Sequence, residues 1–210
     1  MKNFSASTAS QNLINLKWNA VSIATSNAWQ KISAILPSFT INTLTSVLSG
    51  GPMASIYRFA ITGGGVVPAW VMPGTAVTVS GTITSSGADS FSGSYTVRDV
   101  ATDGTSFDVV ANGNITASLV AVAITNGSVK PILQCQKAML TLPSTAASSV
   151  SFSPNCDANS NPIWVQTVTA GGDEYEITSP TCSPLSTKFD LSDWWVKSAS
   201  ATPSLTIRFI

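Results

Sequence analysis

The stretch 94-SYTVRDVATDGTSFDVVA-111 decides the fold class of this chain. Two runs of alternating apolar and polar residues flank Asp103-Gly104, a dipeptide that readily adopts the positive φ angles of a tight hairpin turn. The pattern therefore predicts two antiparallel strands joined by a short turn. Alternation also predicts that one face of each strand is buried and the other is solvated.

Short runs of the same kind continue on both sides of this hairpin, separated by segments rich in glycine and proline. Between residues 51 and 130 the runs are IYRFAIT, AVTVSGTI, SYTVRDVA, TSFDVVA and ITASLVAVAI, which suit a small barrel or sandwich. Between 131 and 210 they are QKAMLTLP, SSVSFSP, PIWVQTVT, DEYEITS, FDLSDWWV and SLTIRFI. Because no helical pattern of crossover length lies between them, the sequence does not predict a parallel α/β sheet. We predict a mainly β protein built from antiparallel sandwich or jelly-roll-like β domains.

The N-terminal region carries two conflicting patterns. Apolar residues recur at helical spacing as far as Leu36, which predicts an amphipathic helix ending before Pro37. The stretches LKWNAVSI and SFTINTLTSV in the same region alternate as strands do. Periodicity does not separate these alternatives. We therefore predict an N-terminal arm over 1–50, either helical or stranded, followed by β domains or sheet sets over 51–130 and 131–210.

The net charge of the chain indicates which classes of partner it can attract. The 210 residues include 10 Lys plus Arg and 10 Asp plus Glu, so the formal net charge is zero. No long-range field attracts such a chain to nucleic acid, and we predict no nucleic-acid partner. A chain with zero net charge and a mean hydropathy of +0.27 is prone to associate. The composition therefore predicts a surface covered by copies of the chain or by a larger assembly.

Two kinds of targeting segment are missing from the pattern. Behind the first residues, MKNFSASTASQ, no apolar run of signal-peptide length follows. Nowhere do about 18 consecutive apolar residues occur, as a membrane-spanning helix requires. We therefore expect neither classical secretion nor a membrane partner.

The chain contains no histidine. This excludes the Ser-His-Asp and Cys-His nucleophiles and the His-ligated zinc and iron sites. The three cysteines, Cys135, Cys156 and Cys182, lack the spacing of a zinc site and are predicted to be buried apolar residues, with a Cys156–Cys182 bridge as an alternative. We predict no catalytic residue, no metal and no cofactor.

The densest group of carboxylates is Asp173, Glu174 and Glu176. Alternation places Glu174 and Glu176 on one strand face, with Asp173 and Tyr175 on the other. Such a group can hold a calcium ion, but a solvated strand face is the simpler interpretation and the one we predict.

Aromatic side chains are the remaining source of function, because large aromatics anchor both cores and interfaces. Trp70, in 66-VVPAWVMPG-74, is flanked by prolines and is predicted to lie on a contact loop. In 189-FDLSDWWV-196 strict alternation puts Trp195 on the same face as Phe189 and Leu191. The predicted core anchors are Trp195, Phe189, Leu191 and Trp164. The predicted interface residues are Trp70, Trp194, Trp18 and Trp29.

Two segments resemble structural proteins of tailed bacteriophages: 72-MPGTAVTVSGTITSSGADSFSGSYTVRDVATDGTSFDVV-110 and 172-GDEYEITSPTCSPLSTKFDLSDWWVKSASATPSLTIRFI-210. The first is similar to their pattern of a G-x-x-V-T-V-S-G strand followed by a D-G-T-S-F-x-V hairpin. The second is similar to closing strands that carry x-D-L-S-x-[WY]-x-V-K. Together the segments cover more than a third of the chain.

The resemblance implies a non-enzymatic virion component that is made in the host cytoplasm. A capsid decoration or cement protein fits the size. Such a protein is often a homotrimer that sits on the major capsid protein and holds neighbouring capsomers together. The alternative is a tail, neck or head-fibre component, or a receptor-binding or carbohydrate-binding β module.

Overall fold

The fold is given by a computed structural model. It describes residues 19–48, 55–61, 63–83, 91–110, 121–154, 161, 163–178, 189–200 and 202–210. The strands in this part of the chain are β1 (Asn19–Ala24), β2 (Gln30–Lys31), β3 (Thr43–Leu48), β4 (Ser55–Ala60), β5 (Ala76–Ile83), β6 (Gly93–Val100), β7 (Ser106–Val110), β8 (Val122–Pro131), β9 (Gln134–Cys135), β10 (Lys137–Thr141), β11 (Val150–Ser153), β12 (Gln166–Val168), β13 (Glu174–Thr178), β14 (Phe189–Asp190), β15 (Trp195–Ser198) and β16 (Ser204–Phe209). One helical turn, α1 (Ile32–Ile35), and one 3₁₀ turn (Leu191–Asp193) interrupt them. The predicted mainly β, antiparallel class is confirmed.

Six strands close into an antiparallel barrel in the order β3-β4-β7-β6-β5-β8. The long strand β8 closes it by pairing with β5 along most of its length and with β3 at Val122 and Ala123. A bulge in β8 lies opposite Ser80 and Thr82 of β5, and Asn126 within it has a positive φ of 53°. The next residue, Gly127, packs so closely that a Cβ there would collide with the Ile41 carbonyl oxygen.

The barrel is filled by inward-facing aromatic and β-branched side chains. Phe59 lies at the centre, with ring centroids 5.5 to 6.2 Å from four other aromatic rings. The buried members of this core are Ile41, Leu44, Tyr57, Phe59, Val67, Val71, Val77, Val79, Phe91, Tyr95, Val97, Phe107, Val109, Ile124 and Val129.

The hairpin predicted at Asp103-Gly104 connects β6 to β7. Gly104 has a φ of +69°, and its amide donates to the Ala101 carbonyl at 2.8 Å. The Asp103 carboxylate accepts hydrogen bonds from the amide and the hydroxyl of Thr105, at 3.0 and 2.9 Å. This turn chemistry explains why the local sequence predicts the hairpin correctly.

The second unit is a sandwich of two four-stranded sheets, β1-β16-β10-β13 and β12-β11-β15-β2. When its eight strands are lettered B to I in chain order, the sheets read B-I-D-G and F-E-H-C, which is the strand order of a jelly roll. The jelly-roll-like prediction is therefore confirmed at the level of topology. A short extra pair, β9 with β14, lies outside these two sheets.

The jelly-roll core lies between the two sheets. Its buried members are Val21, Ile23, Ile32, Leu133, Cys135, Ala138, Leu140, Leu142, Val150, Phe152, Val168, Ile177, Leu191, Val196, Leu205, Ile207 and Phe209. Both ends of the chain contribute, because β1 pairs with β16 along its whole length.

The boundaries of the barrel and the jelly roll do not coincide with the predicted ranges 1–50, 51–130 and 131–210. Strands β1 and β2, placed by prediction in an N-terminal arm, belong to the two sheets of the jelly roll, and β3 belongs to the barrel. The physical reason is that Val21 and Ile23 present an apolar face that completes the core beside β16. In place of the amphipathic helix that the spacing of apolar residues predicts, the described residues of this region form only the single turn α1, which ends before Pro37 as expected.

A seam joins the two units, and we define it by Phe39, Trp70, Thr75, Asn19 and Val129. Phe39 and Val129 exchange two backbone hydrogen bonds of 3.2 and 3.0 Å where the chain enters and leaves the barrel. Trp70 packs against both cores and meets Phe39 edge to face, with ring centroids 5.7 Å apart. The Thr75 hydroxyl lies 3.3 Å from the Asn19 side-chain oxygen. The seam therefore fixes the barrel against the jelly roll.

None of the helices in the described part of the chain has the length and apolar character that a membrane-spanning helix requires.

Candidate functional site

The 3₁₀ turn at Leu191–Asp193 inverts the alternation on which the tryptophan predictions depend. The Asp190 carboxylate accepts a hydrogen bond from the Ser192 amide at 2.8 Å, and the Trp194 amide donates to the Leu191 carbonyl at 3.1 Å. These bonds hold Leu191–Asp193 in a 3₁₀ turn, whereas the alternation of the sequence predicts an extended strand there. Side chains at even numbers therefore face the core after the turn, whereas odd numbers face it before the turn.

The predicted assignment of the two tryptophans is accordingly wrong for Trp195. Trp194 stacks on the buried Phe152 ring, with centroids 5.9 Å apart and planes 21° apart, and packs against the jelly-roll core. Trp195 lies in β15 between Trp194 and the buried Val196, is partly exposed, and joins neither core cluster of the described residues. Trp194 is therefore the tryptophan that packs with the core, and an interface role of its exposed part stays a prediction.

The other predicted core anchors have mixed outcomes. Leu191 is fully buried and Phe189 packs against the same core, as expected. Trp164 is instead 50% exposed, between Ile163 at 70% and Val165 at 45%. The reason is that β12 starts only at Gln166, so these residues precede the strand. We call Ile163, Trp164 and Val165 the apolar loop.

The remaining predicted interface residues occupy different places. Trp70 lies in a turn, as its flanking prolines predict, but its ring is partly buried in the seam. Trp29 is partly buried just before β2. Trp18 lies outside the described residues. Their role in contacts with partners stays a prediction.

The carboxylates of β13 form a solvated strand face. Glu174 and Glu176 are exposed, and Glu176 pairs with Lys137 at 2.8 Å. Tyr175 points to the opposite side and packs with Phe152, with ring centroids 5.0 Å apart. Among the described residues, no group of three or more His, Cys, Asp or Glu side chains is placed to hold a metal ion.

Cys135 behaves as an apolar core residue. Burial raises the pKa of its thiol to about 12, with a smaller contribution from the negative charge of Asp190. The thiol is therefore protonated at neutral pH and is a poor nucleophile. Cys156 and Cys182, for which a bridge was the alternative, lie outside the described residues.

A cleft of about 400 Å³ lies between the barrel and the jelly roll. Its barrel wall consists of Lys130, Thr78 and Ser94, which are directly opposite one another on β8, β5 and β6. Such cross-strand neighbours on one face lie about 5 Å apart. All three side chains are exposed, whereas the neighbouring Val79 and Val129 face the barrel core.

The opposite wall of the cleft belongs to the jelly roll. Gln134 and Asp190 are paired across β9 and β14, and Ser192 follows them in the 3₁₀ turn. Ser33, from α1, completes this wall. Leu36, Pro131 and Ile132, which lie where the chain passes between the two units, provide apolar lining.

Sequence reasoning missed this cleft. Its residues come from distant segments and form no motif, although alternation does predict that Thr78 and Ser94 face outward. Their approach to Gln134 and Asp190 depends on how the two units pack, which no local pattern encodes. The cleft can donate and accept hydrogen bonds at both walls, which suits ligand binding more than bond-breaking chemistry.

Comparison of the chain with known protein families, with curated proteins and with solved structures found no match.

Proposed function

We propose that this chain is a non-enzymatic structural protein of a tailed-bacteriophage virion that acts through protein–protein contacts. The form that best fits its size is a capsid decoration or cement protein. It would be assembled in the host cytoplasm as a homo-oligomer, taken here as a trimer, and would bind the major capsid protein.

The observation that carries this proposal is the apolar loop. Three consecutive large apolar side chains, Ile163, Trp164 and Val165, are 45 to 70% exposed. Exposed apolar patches mark surfaces that other proteins cover, and tryptophan is enriched among residues that dominate binding energy. Self-association or docking on a shell would remove this surface from water.

The position of the apolar loop adds to the argument. It leads directly into β12, which is the last strand of its sheet in the described part of the chain. An edge strand presents backbone groups that can pair with another chain. Apolar anchors beside such an edge combine side-chain burial with backbone hydrogen bonding, which favours adhesion between subunits.

The jelly-roll topology is compatible with the proposal. Jelly rolls occur in viral capsid proteins and also in lectins and enzymes, so topology alone does not assign function. The zero net charge supports it further, because charge repulsion does not oppose close packing of many copies.

The first experiment measures copy number. Virus particles purified from cells that make the chain are analysed by quantitative mass spectrometry and cryo-electron microscopy. We expect hundreds of copies per particle, arranged on the capsid shell. About a dozen copies at one vertex or on the tail would support the alternative of a tail, neck or fibre component. Absence from the particles would overturn the virion proposal.

The second experiment tests the apolar loop in the purified protein. Light scattering after size exclusion should give an oligomer, with three times the 21.7 kDa of one chain for a trimer. Trp164→Ser should weaken association by about 2 kcal/mol or more, which is roughly 30-fold in the dissociation constant. The control is Val110→Ser, which removes a similarly exposed apolar side chain from the barrel.

Association that Val110→Ser weakens as much as Trp164→Ser would contradict the role of the apolar loop. If light scattering finds only monomer at every protein concentration, the predicted homo-oligomer is contradicted. Binding to the capsid shell would then be the only protein–protein contact left in the proposal.

A further inference from the structure

We propose that the cleft between the barrel and the jelly roll binds a neutral saccharide of one or two rings. This inference goes beyond the proposed structural function and does not depend on it. It rests on the chemistry of the two walls, their charge balance, the apolar lining and the fixed geometry of the seam.

The walls offer a mixed set of hydrogen-bonding groups. Three hydroxyls, those of Ser33, Thr78 and Ser192, can each donate one hydrogen bond and accept others. The Gln134 amide also does both. A sugar ring carries adjacent hydroxyls that are themselves donors and acceptors, so it can satisfy such groups on both walls at once. An apolar ligand would leave them without partners, which costs free energy.

The charges at the cleft balance. Lys130 supplies one cation on the barrel wall, and Asp190 supplies one anion on the jelly-roll wall. Lys130 takes part in none of the ion pairs found among the described residues. A single lysine opposite a carboxylate does not favour a phosphate or another anion. The two charges instead provide one strong donor and one strong acceptor for a neutral ligand.

The apolar lining and the size fit the same ligand class. Leu36, Pro131 and Ile132 present carbon surface between the two polar walls. A pyranose ring has C–H groups on its faces and hydroxyls around its edge, so it can rest on apolar atoms while its hydroxyls meet the walls. The volume of about 400 Å³ lies near the lower end of the usual range for small-molecule sites.

The geometry of the cleft is set before any ligand arrives. Trp70 packs against both cores, and Thr75 and Asn19 link the two units at 3.3 Å. The two walls are therefore held at one separation by contacts outside the cleft. A preformed site binds with less loss of conformational entropy than one that must close.

The test is saturation-transfer NMR on the full-length chain. The probes are glucose, galactose, mannose, N-acetylglucosamine, maltose, cellobiose, lactose and chitobiose. Glucuronate and inorganic phosphate are the anionic comparators. We expect saturation transfer to at least one neutral sugar, with a dissociation constant on the order of 1 mM, which is usual for a small neutral ligand with few contacts.

Substitutions in the cleft test whether the sugar binds there. Ser94→Trp fills it from the barrel wall and should weaken binding at least tenfold. Thr96→Trp is the matched control, because Thr96 is exposed on the same face of β6 but does not line the cleft. Lys130→Met removes the donor with little change of volume and should also weaken binding. Circular dichroism checks that each variant is folded.

Three results would overturn the proposal: no saturation transfer to any neutral sugar, binding that Ser94→Trp and Lys130→Met leave unchanged, or binding of glucuronate or phosphate alone. The oligomer mass of Ser94→Trp should equal that of the parent chain. Loss of sugar binding is thereby distinguished from loss of the assembly attributed to the apolar loop.

Discussion

The barrel and the jelly roll are both antiparallel β structures, but they are assembled from the chain in opposite ways. The barrel uses six consecutive strands from β3 to β8, and three of its six neighbouring pairs (β3–β4, β5–β6 and β6–β7) follow each other directly in the chain. The jelly roll pairs β1 with β16, so that Asn19 lies opposite Phe209. In the two jelly-roll sheets only β11 and β12 are both consecutive and paired. Local sequence patterns therefore determine more of the barrel than of the jelly roll, which depends mainly on contacts between distant parts of the chain.

The largest expected effect comes from removing one central ring in each unit. Phe59→Ala in the barrel and Phe152→Ala in the jelly roll each delete a fully buried aromatic side chain. Each should lower the free energy of unfolding by about 3–5 kcal/mol. Hydrogen exchange with mass spectrometry in rising denaturant, read on peptides from each unit, measures where the loss falls.

We expect Phe59→Ala to affect barrel peptides most and Phe152→Ala to affect jelly-roll peptides most. An equal loss in all peptides for both variants would show that the molecule unfolds as one unit, and the two regions would then not differ in stability.

Trp70→Ala tests the seam that joins the two units. The ring is partly buried against both cores, so its removal should cost about 2–3 kcal/mol, less than a fully buried aromatic. Because the two cores lose their shared side chain, their unfolding midpoints should also move apart. Val66→Ala, in the same loop but 65% exposed, is the control and should change stability by less than about 0.5 kcal/mol. Midpoints that stay together in Trp70→Ala would show that Trp70 does not couple the units.

The two adjacent tryptophans give a smaller contrast within the jelly roll. Trp194→Ala loses the stacking on Phe152 and should lower the free energy of unfolding by about 2 kcal/mol, because the ring is only partly buried. Trp195→Ala should cost less than about 1 kcal/mol, since Trp195 joins neither core. Urea denaturation followed by circular dichroism measures both. A larger loss in Trp195→Ala would restore the prediction from strict alternation.

The smallest changes in the free energy of unfolding should come from replacing two turn carboxylates. These are Asp103, in the turn of the barrel hairpin, and Asp173, in the jelly roll. Hydrogen bonds from the Thr105 amide and hydroxyl lower the pKa of Asp103, and the amides of Thr169 and Glu174 lower the pKa of Asp173. Because folding lowers these pKa values, each carboxylate stabilises the folded state above its unfolded pKa. That stabilisation is lost as the pH falls through the lowered folded value.

Asp103→Asn and Asp173→Asn should therefore be less stable than the parent chain at pH 7. The difference should shrink as the pH falls below the ordinary carboxyl value of 3.8. Urea midpoints measured across this acidic range provide the test. A difference that grows on acidification would contradict the assigned hydrogen bonds.

The sequence predicts features that depend on neighbouring residues, and it does not predict features that depend on pairing between distant strands. The β5 run AVTVSGTI and the Asp103-Gly104 turn can be read from the sequence, because alternation and turn chemistry act within a few residues. The place of β1 could not be predicted, since its partner β16 lies at the other end of the chain. Strict alternation misplaces Trp195, because one 3₁₀ turn, held by Asp190, shifts the alternation by one position. An Asp side chain often accepts a hydrogen bond from the backbone amide two residues on, so Asp190 is a local signal for this turn.

The candidate sites show this limit most clearly. Trp164 follows Pro162 in the sequence and looks like part of a strand, yet it is exposed before β12 begins. Lys130 and Asp190 line opposite walls of the cleft, and they face the same space only because of how the two units pack. Function at such a surface is a property of packing between units, which one sequence does not reveal.

The meeting of Phe39 and Val129 has a consequence for the order in which the chain folds. The barrel is complete in sequence by Pro131, and its entry and exit are held together by those two backbone hydrogen bonds. During synthesis, which proceeds from the N-terminus, the barrel can therefore close while β10 to β16 are still being made. Strand β1 pairs with β16, which comes after the whole barrel in the sequence, so this pair can form only after the barrel strands have been made. Closure of the barrel holds Ile32 and Leu133 near each other, which shortens the search by which the late strands complete the jelly-roll core.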